Sequence, residues 1–518
     1  MSGRTYGSLA RVDGRWVLSD VPANVVIRLK ALFPAIPKTA RAPFDFPDTL
    51  ITCSDLAWFG ARFPFRMSPA DRAALEGGAA SHVERATAID AVMAGGEAYT
   101  PPSFAGLRAG LDPRTGKPRQ VRPYQAQAVD VLSRVGGLLL GDAVGLGKTF
   151  TAAGACLLPG ALPAAVVCQP HVQKQWVGVI EEFTTLRVHA ITGTKPYPLP
   201  EADVYVFRYT QLAGWCDTFG TVGFRLAVYD EIQELRSGSS TAKGSAARRL
   251  SEVATLRLGL TATPVYGYGA EIWHVMRFVR PDVLGDWDDF AREWCAFSGI
   301  GKYRIRDPKA LGEHLRAEHA FMRRTKADVG QHMDPVSRIV KTVEYDQAAV
   351  DAVDEVARKL AIRATTTSFV ERGKAARDLD IMVRQATGVA KAKAVAAYAR
   401  VLVEGGTPII LAGWHREVYD LWLEALSDLK PVMYTGSETA AQKERAKAAF
   451  LSGETDLFIM SLRSGAGVDG LQARCSTVVV GELDWSPGVH DQLIGRVYRE
   501  GQTEPVTALF LVAEDGSD

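Results

Sequence analysis

Residues 141–149 read Gly-Asp-Ala-Val-Gly-Leu-Gly-Lys-Thr, and this stretch decides the fold. It follows the apolar run Leu138–Leu140 and precedes a helical pattern, so that a strand leads through a glycine-rich loop into a helix N-terminus. Backbone N–H groups in such a loop point at an anion, and glycines let the chain approach that anion closely. The stretch therefore predicts a nucleotide-phosphate site at the end of a buried strand.

The residues of this phosphate loop are predicted to bind a nucleotide and its cation. Gly145 and Gly147 would allow the close approach of the backbone. Lys148 would reach the β- and γ-phosphates, and the Thr149 hydroxyl would hold Mg²⁺. The loop departs from the common GxxxxGK[ST] pattern, because Asp142 stands at the first glycine position. For the loop alone, a glycine-rich turn without a ligand stays open as an alternative.

Two adjacent carboxylates follow the next predicted strands along the chain. Leu226–Tyr229 predicts a buried strand, and it ends in Asp230 and Glu231, which would repel each other without a cation. We interpret Asp230 as a partner of Mg²⁺ and Glu231 as the base that polarises water, with a solvated acidic turn as the alternative. Thr261 and Thr263 close a later strand, and their hydroxyls are placed to sense this acidic pair.

Short apolar runs alternate with helical patterns twice along the chain, which indicates two α/β lobes with parallel sheets. The first series of predicted strands comprises residues 137–140, 164–168, 204–207, 226–229 and 258–260. The second series comprises residues 408–411, 431–434, 457–460, 477–480 and 507–512. We expect an N-terminal accessory α+β domain at 1–110, a first lobe at 111–275, a helical protrusion and linker at 276–390, and a second lobe at 391–518.

Composition and charge limit the classes of protein to which the chain can belong. The formal net charge of +1 gives no global attraction to nucleic acid, so a DNA-binding surface must be a local basic track. The six cysteines show no CxxC spacing, which disfavours a zinc site or a disulfide framework. No signal pattern and no apolar stretch of about 18 residues occurs. We therefore expect a soluble intracellular protein of the cytoplasm or nucleoid.

Taken together, the motifs resemble those of helicase superfamily two, and within it the Swi/Snf-type DNA translocases. The resemblance covers roughly residues 122–518, and the motifs occur in the family's order. Arg122-Pro123-Tyr124-Gln125 resembles the adenine-recognising Q motif, which implies nucleotide contacts by Arg122 and Gln125. An aspartate at position 142 is usual in this family's phosphate loop. Residues 321–329 and 482–502 resemble two further motifs of the family.

The resemblance implies ATP and Mg²⁺ as ligands and two RecA-like lobes. Its last motif implies that Arg496 and Arg499, with Gln492, reach across the lobe interface to the γ-phosphate. Guanidinium groups stabilise the charge on a transferring phosphoryl group, and their supply from the other lobe would make hydrolysis depend on closure. Two residues depart from the family pattern: Gln233 stands where a coupling histidine is usual, and Asp469 disturbs the usual glycine register.

The resemblance also implies that the chain grips duplex or forked DNA through its phosphate backbone, without reading sequence. The candidate DNA contacts lie at strand ends of both lobes: His171, Tyr209, Thr210, Arg323, Thr435, Ser461 and Arg463. Taken singly, each of them is better explained as an ordinary loop residue, and only their joint placement at the family's DNA-contact positions favours DNA binding. Arg323, with Arg324 and Lys326, has the further alternative of bracing the lobes.

Residues 482–488 and 384–388 resemble the annealing-helicase, fork-remodelling subgroup of this family. Its members carry a small HepA-related recognition domain before the motor, and residues 1–110 are a candidate analogue. The candidate DNA contacts in that segment are Arg11, Arg15, Arg28, Lys30, Arg62 and Arg66. The alternative is a structural cap in which the many aromatic side chains form the core. In this family a helix usually follows the last strand, so the end of the chain at Asp518 suggests looser lobe closure or a truncated coding sequence.

The leading functional hypothesis is a DNA-stimulated ATPase that translocates on double-stranded or branched DNA, remodelling forks or displacing bound proteins. A strand-separating helicase on single strands is a second hypothesis. The third is an ATP-gated DNA clamp with little motor activity, which the departures at Gln233 and Asp469 keep open.

Overall fold

The computed structural model describes most of the chain as two compact units, Met1–Pro101 and Pro102–Asp518. The described residues are 4–33, 36–37, 39–95, 99–112, 116, 118–262, 269–297, 303–331, 333–346, 362, 369–462 and 468–513. In this part of the chain, no helix is both long enough and apolar enough to cross a membrane.

The N-terminal unit packs three helices against a small antiparallel sheet. Its strands, in the sheet order β1-β2-β3, are β1 (Ser8–Val12), β2 (Arg15–Ser19) and β3 (Phe44–Pro47). Its helices are α1 (Ala23–Leu32), α2 (Leu50–Arg62) and α3 (Pro69–Ala94). The aromatic side chains that mark this segment fill its core, since Trp16, Phe44, Phe46, Phe59 and Phe65 are all buried. This arrangement agrees with the core alternative for the aromatic residues.

The first lobe is built on a seven-stranded sheet in which every neighbouring pair of strands is parallel. Its first six strands in chain order are β4 (Gly137–Leu140), β5 (Ala164–Cys168), β6 (Val188–Ala190), β7 (Val204–Arg208), β8 (Leu226–Asp230) and β9 (Leu256–Leu260). Its helices are α4 (Pro123–Val135), α5 (Lys148–Cys156), α6 (Gln173–Phe183), α7 (Leu212–Trp215), α8 (Phe219–Val222) and α9 (Ala242–Val253). β4, β5, β7 and β8 are apolar over almost their whole length because both faces of the sheet are covered.

A helical section follows the first lobe. It contains α10 (Gly269–Val279), α11 (Trp287–Trp294), α12 (Pro308–Ala317) and an antiparallel hairpin of β10 (Cys295–Phe297) and β11 (Tyr303–Ile305). Two strands within residues 276–390 belong to the lobe sheets instead. β12 (Phe321–Met322) pairs with β4, and β13 (Ser337–Val343) is an edge strand of the second lobe. β12 is too short and β13 too polar and exposed to show the apolar runs on which the sequence expectation rested.

The second lobe is built on a six-stranded parallel sheet in the order β13-β18-β17-β14-β16-β15. Its further strands are β14 (Ile409–Gly413), β15 (Val432–Tyr434), β16 (Leu457–Ser461), β17 (Thr477–Val480) and β18 (Thr507–Ala513). Its helices are α13 (Phe369–Glu404), α14 (Arg416–Ala425), α15 (Ala440–Ser452) and α16 (Pro487–Ile494). The sequence prediction of two parallel α/β lobes is confirmed.

Short 3₁₀ helices connect several of these elements. They are Pro170–Val172, Cys216–Thr218, Ile232–Leu235, Gly238–Ser240, Ala327–Val329, Ser427–Leu429 and Leu471–Ala473.

Trp422 on α14 tests the packing of the second lobe. Its ring is fully buried against the sheet, where a Cβ on Gly413 or Gly481 would lie 2.7 or 2.6 Å from it. We expect Trp422→Ala to lower the free energy of unfolding by about 3–5 kcal/mol, because it leaves a large cavity. Urea denaturation followed by circular dichroism measures the change. Val401→Ala is the control, since Val401 is 69% exposed on α13. Equal losses in the two variants would contradict this packing.

Candidate functional site

The candidate site lies where the strands of the first sheet end. Because β4, β5, β7, β8 and β9 are all parallel, the loops that follow them meet at one edge of the sheet. That edge brings together the phosphate loop, the Asp230–Glu231 pair and Thr261, which are distant in sequence. Thr261 is fully buried, and its N–H donates to the Leu140 carbonyl at 3.1 Å. Thr263 lies outside the described residues.

The phosphate loop has the backbone conformation of an anion cradle. Gly145 and Gly147 have φ values of +91° and +72°, a region in which other residues are strained. Lys148 is the first residue of α5, and its Nζ donates to the Asp142 carbonyl at 2.6 Å. Burial lowers the pKa of Lys148, although Glu231 and other nearby carboxylates oppose this effect. Thr149, in the first turn of α5, is half-buried.

The side chain of Gln125 binds the backbone of the phosphate loop. Its Oε1 accepts from the Arg122 N–H at 3.0 Å, and its Nε2 donates to the Leu146 carbonyl at 3.1 Å. The Tyr124 hydroxyl donates to the same carbonyl at 2.9 Å. Arg122 pairs with Glu500 of the second lobe. Adenine recognition by Arg122 and Gln125 stays a prediction.

Asp142 has a structural role that explains its place in the loop. Its carboxylate is fully buried and accepts a forked pair of hydrogen bonds from Arg324, with Nε–Oδ1 at 3.0 Å and Nη2–Oδ2 at 2.6 Å. The Arg324 N–H also donates to Oδ1 at 3.0 Å. Asp142 was expected to contact the nucleotide, but its side chain is instead engaged with the segment that leads out of the first lobe. These partners of Arg324 belong to the first lobe, so bracing of the two lobes by Arg324 stays a prediction.

Asp230 and Glu231 form the acidic part of the site at the end of β8. The Trp176 indole on α6 donates to Asp230 Oδ2 at 2.8 Å. Burial, and then repulsion from Glu231, raise the pKa of Asp230 to about 7, while Trp176 and Lys148 oppose the rise. Glu231 has a φ of +50°, which is uncommon for a residue other than glycine. Sequence reasoning missed Trp176, because only the fold brings α6 to the end of β8.

Gln233 directly contacts Glu231 of the acidic pair. Its side chain is buried, and its Nε2 donates to Glu231 Oε2. The residue that replaces the family's usual histidine therefore holds the carboxylate predicted to be the base.

The arginines of the second lobe lie against the phosphate loop. A Cβ on Gly495, directly after α16, would overlap the Val144 side chain, and a Cβ on Gly145 would lie 3.5 Å from Arg499 Cβ. Arg496 Nε is buried and has no hydrogen-bond partner among the described residues. Burial, and then the neighbouring Arg499, lower the pKa of Arg496 to about 10, while Glu231 opposes this change.

Other residues of the same motif differ in the hydrogen bonds and ion pairs that they form. Arg499 pairs with Asp469, with Nη1–Oδ1 at 2.5 Å. Gln492 is half-buried on α16, and its side chain makes no hydrogen bond to a described residue. Lys326 donates to the Tyr498 carbonyl, and its Nζ lies 3.4 Å from the centre of the Tyr498 ring. Lys326 thus braces the lobes, as its alternative interpretation expected.

The candidate DNA contacts divide into exposed and buried side chains. His171, Thr210 and Arg323 are exposed at strand ends of the first lobe. Tyr209 is instead buried, and its hydroxyl donates to the Asp230 carbonyl at 2.9 Å. Thr435 is also buried, and its hydroxyl donates to the Glu438 carboxylate at 2.9 Å. These two hydroxyls are therefore engaged within the protein.

Two candidates remain in the second lobe. Ser461 is buried at the end of β16, and Arg463 lies outside the described residues.

Most of the candidate DNA-binding cations in the N-terminal unit are already engaged. Arg11 pairs with Asp48, Arg15 with Asp45 and Arg66 with Asp20. The Nζ of Lys30 donates to the Ala40 carbonyl at 2.7 Å. Arg28 and Arg62 are exposed. These contacts reduce the positive charge that this unit presents to a phosphate backbone.

Comparison with known proteins identifies the family. The family model of the SNF2-related domain matches residues 124–386, half of the chain. The chain belongs to this family. The match begins at Tyr124 beside the phosphate loop and extends into α13. The Swi/Snf-type resemblance read from the sequence is confirmed.

Relatives of this SNF2-related chain include two kinds of protein. The SWI/SNF-related matrix-associated actin-dependent regulator of chromatin subfamily A-like protein 1 of Xenopus tropicalis is 26% identical over 413 residues, covering 76% of this chain and 43% of the relative. The DNA annealing helicase and endonuclease ZRANB3 of Mus musculus is 25% identical over 420 residues, covering 76% and 39%. The chain thus spans less than half the length of these two relatives.

A solved structure also resembles the SNF2-related chain. The Sulfolobus solfataricus SWI2/SNF2 ATPase core in complex with dsDNA is 20% identical, covers 80% of this chain and 90% of its own, and gives a TM-score of 0.40.

The buried pair of Asp142 and Arg324 generates a prediction about stability. Asp142→Ala leaves a buried guanidinium without its carboxylate, and we expect a loss of about 3–5 kcal/mol in the free energy of unfolding. Asp428→Ala is the control, because the Asp428–Arg400 pair is exposed to water and should contribute little. Thermal and urea denaturation of both variants measure the difference. A loss no larger than that of the control would contradict a structural role for Asp142.

The raised pKa of Asp230 predicts a pH dependence of stability. Between the ordinary value of 3.8 and about 7, the folded protein keeps a proton on Asp230 that the unfolded chain has lost. The folded state therefore binds more protons in this window, and the contribution of Asp230 to stability is lost as pH rises through 7. The measurement is made in the presence of a metal chelator. We expect the stability of the unchanged protein, relative to that of Asp230→Asn, to fall as the pH rises from 5 to 8. A difference in melting temperature that does not change with pH would contradict this assignment.

Proposed function

We propose that this chain is a DNA-stimulated ATPase that translocates on double-stranded or branched DNA, remodelling forks or displacing bound proteins. The observation that carries the proposal is the convergence of charges from two lobes. Lys148, Asp230 and Glu231 of the first lobe face Arg496 and Arg499 of the second, and Arg496 and Glu231 interact electrostatically. Cations from both lobes around one carboxylate pair suit the transfer of a phosphoryl group to water.

The donors of the site fit the phosphates of ATP. A buried N–H without a partner costs free energy, and Arg496 Nε is such a group. Among the described residues, the Lys148 ammonium has only loop carbonyls as hydrogen-bond partners, so a phosphate oxygen would be a stronger acceptor. Both groups are therefore suited to an anion that enters beside the phosphate loop.

The acceptors of the site fit Mg²⁺ shared with those phosphates. Across the described residues, no group of three or more His, Cys, Asp or Glu side chains could hold a metal alone. Asp230 and the Thr149 hydroxyl would hold the ion, with phosphate oxygens completing the set. When bound, the ion neutralises charge on the phosphates. It would also relieve the repulsion between Asp230 and Glu231, so Asp230 could ionise below pH 7.

Glu231 is the proposed base. The hydrogen bond from Gln233 holds its carboxylate, and the left-handed backbone turns it out of the strand that carries Asp230. It would accept a proton from the attacking water while Arg496 and Arg499 stabilise charge on the phosphoryl oxygens. Since these arginines come from the second lobe, turnover would depend on lobe closure.

The proposed DNA substrate rests on kinship and on the exposed edge of the first lobe. Relatives in this family carry the name DNA annealing helicase. His171, Thr210 and Arg323 are exposed at the edge where the strands of the first sheet end. Contacts of this kind to phosphates fix position without reading bases, which suits a protein that moves along DNA.

The proposal is tested by measuring steady-state ATP hydrolysis under five conditions: no nucleic acid, duplex DNA, forked duplex, single-stranded DNA and RNA. We expect duplex or forked DNA to stimulate turnover most. Glu231→Gln should lower the stimulated rate by at least about 10²-fold, because the base is lost. Glu252→Gln is the control, since Glu252 is an exposed carboxylate on α9 that, in the part of the chain that the structure describes, pairs only with Arg248 and Arg249.

The other outcomes separate the alternatives. Stimulation by single-stranded DNA alone would favour a strand-separating helicase. A rate that no nucleic acid changes would contradict the motor and favour an ATP-gated clamp.

A further inference from the structure

Asp469, in the second lobe, departs from the family pattern. That pattern does not explain the position of this residue in the site. It lies between β16 and the 3₁₀ helix Leu471–Ala473, and its Oδ1 accepts from the Gly470 N–H at 2.8 Å. The same oxygen accepts from Arg499 Nη1 at 2.5 Å. Gly470 has a φ of +93°, so a tight turn places its N–H against the carboxylate. Asp469 is therefore fixed by its own loop while it binds the arginine.

Arg499 is held at two of its three guanidinium nitrogens. Its Nε donates to the Gly495 carbonyl at 2.9 Å, and its Nη1 donates to Asp469. Its Nη2 has no hydrogen-bond partner among the described residues. A Cβ on Gly145 would lie 3.5 Å from Arg499 Cβ, so the base of this side chain lies beside the phosphate loop. Two hydrogen bonds to a planar group fix its orientation as well as its position.

Arg496 lacks this support. Its Nη1 donates only a long hydrogen bond of 3.4 Å to the Val468 carbonyl, and its Nε is buried without a partner among the described residues. No carboxylate pairs with it in the part of the chain that the structure describes. The two arginines of the motif therefore differ in how firmly their guanidinium groups are held. Arg499 is held rigidly, whereas Arg496 retains its capacity to donate.

We propose that Asp469 is a positioning residue that holds the Arg499 guanidinium beside the phosphate loop, with Nη2 left to donate to the phosphoryl group as it is transferred. The proposal rests on the proposed ATP hydrolysis. Donors fixed in advance stabilise the transition state without a cost of ordering during the reaction. Asp469 would therefore favour the transferring phosphoryl group over the diphosphate product, which lacks the γ-phosphate that Nη2 would contact.

The full chain with Mg²⁺ and duplex DNA provides the test. Equilibrium binding of ADP, and of ADP with fluoroaluminate as a mimic of the transferring phosphoryl group, is compared between the unchanged protein and Asp469→Asn. We expect the variant to bind the mimic about tenfold more weakly and ADP equally well, as the loss of one charge-assisted hydrogen bond implies. Asp469→Glu, which retains the charge, should recover part of the loss.

Two controls separate positioning from general damage to the lobe. Asp456→Asn removes a carboxylate of similar exposure from another arginine pair in the second lobe, with side chains 37% exposed for Asp456 and 40% for Asp469. It should change neither affinity. Adding Asp469→Asn to Arg499→Ala should cause no further loss, because Asp469 acts through that arginine.

Three results would overturn the proposal. Equal weakening of ADP and the mimic would indicate a structural role for Asp469. Tighter binding of the mimic by Asp469→Asn would show that the carboxylate withholds Arg499. If the unchanged protein bound the mimic no more tightly than ADP, this would show that Arg499 does not contact the γ-phosphate. Because these are binding measurements, a failure of DNA to stimulate hydrolysis would count against the proposed motor and leave this comparison intact.

Discussion

The buried ion pair between Asp142 and Arg324 is the interaction on which the site depends. It ties the phosphate loop to the segment that leaves the first lobe, and backbone hydrogen bonds from Gly141 to Met322 and from Ala143 to Arg324 run beside it. Two residues further on, Lys326 contacts Tyr498 of the second lobe. Buried hydrogen bonds thus join the phosphate loop to the segment that leads from the first lobe towards the second.

The charges of the cleft balance only in part. Lys148 and the arginine motif bring cations to Asp230 and Glu231, yet Asp230 retains a raised pKa and Arg496 a lowered one. Both shifts have the same physical cause, because burial disfavours each charged form before a partner arrives. A polyanion with a divalent cation would correct both at once. A site with unbalanced charges of both signs is therefore better suited to a metal–nucleotide complex than to either ligand alone.

Sequence patterns predicted the strands of the fold well where these are buried on both sides. The strands at 137–140, 164–168 and 477–480 have the predicted bounds, because their apolar runs coincide with burial. β13 was missed because this exposed edge strand, Ser-Arg-Ile-Val-Lys-Thr-Val, contains no continuous apolar run. Spacing alone could not have brought residue 499 beside residue 145, so the arginines depended on the family resemblance. Side-chain direction was the least predictable feature, since Tyr209 and Thr435 follow their strands as expected and yet bond inward.

The second lobe meets both ends of the predicted nucleotide site through one short stretch. Arg496 and Arg499 lie at the phosphate loop, and the next residue, Glu500, pairs with Arg122 beside the predicted adenine end. A movement of this stretch cannot displace the arginines without straining the Arg122–Glu500 pair. In the proposed reaction, the binding of the base and the placement of the arginines would therefore be mechanically linked. The Arg122–Glu500 pair is partly exposed, whereas Asp469 holds Arg499 within its own lobe. The orientation of Arg499 is therefore set within the second lobe and does not depend on the Arg122–Glu500 pair.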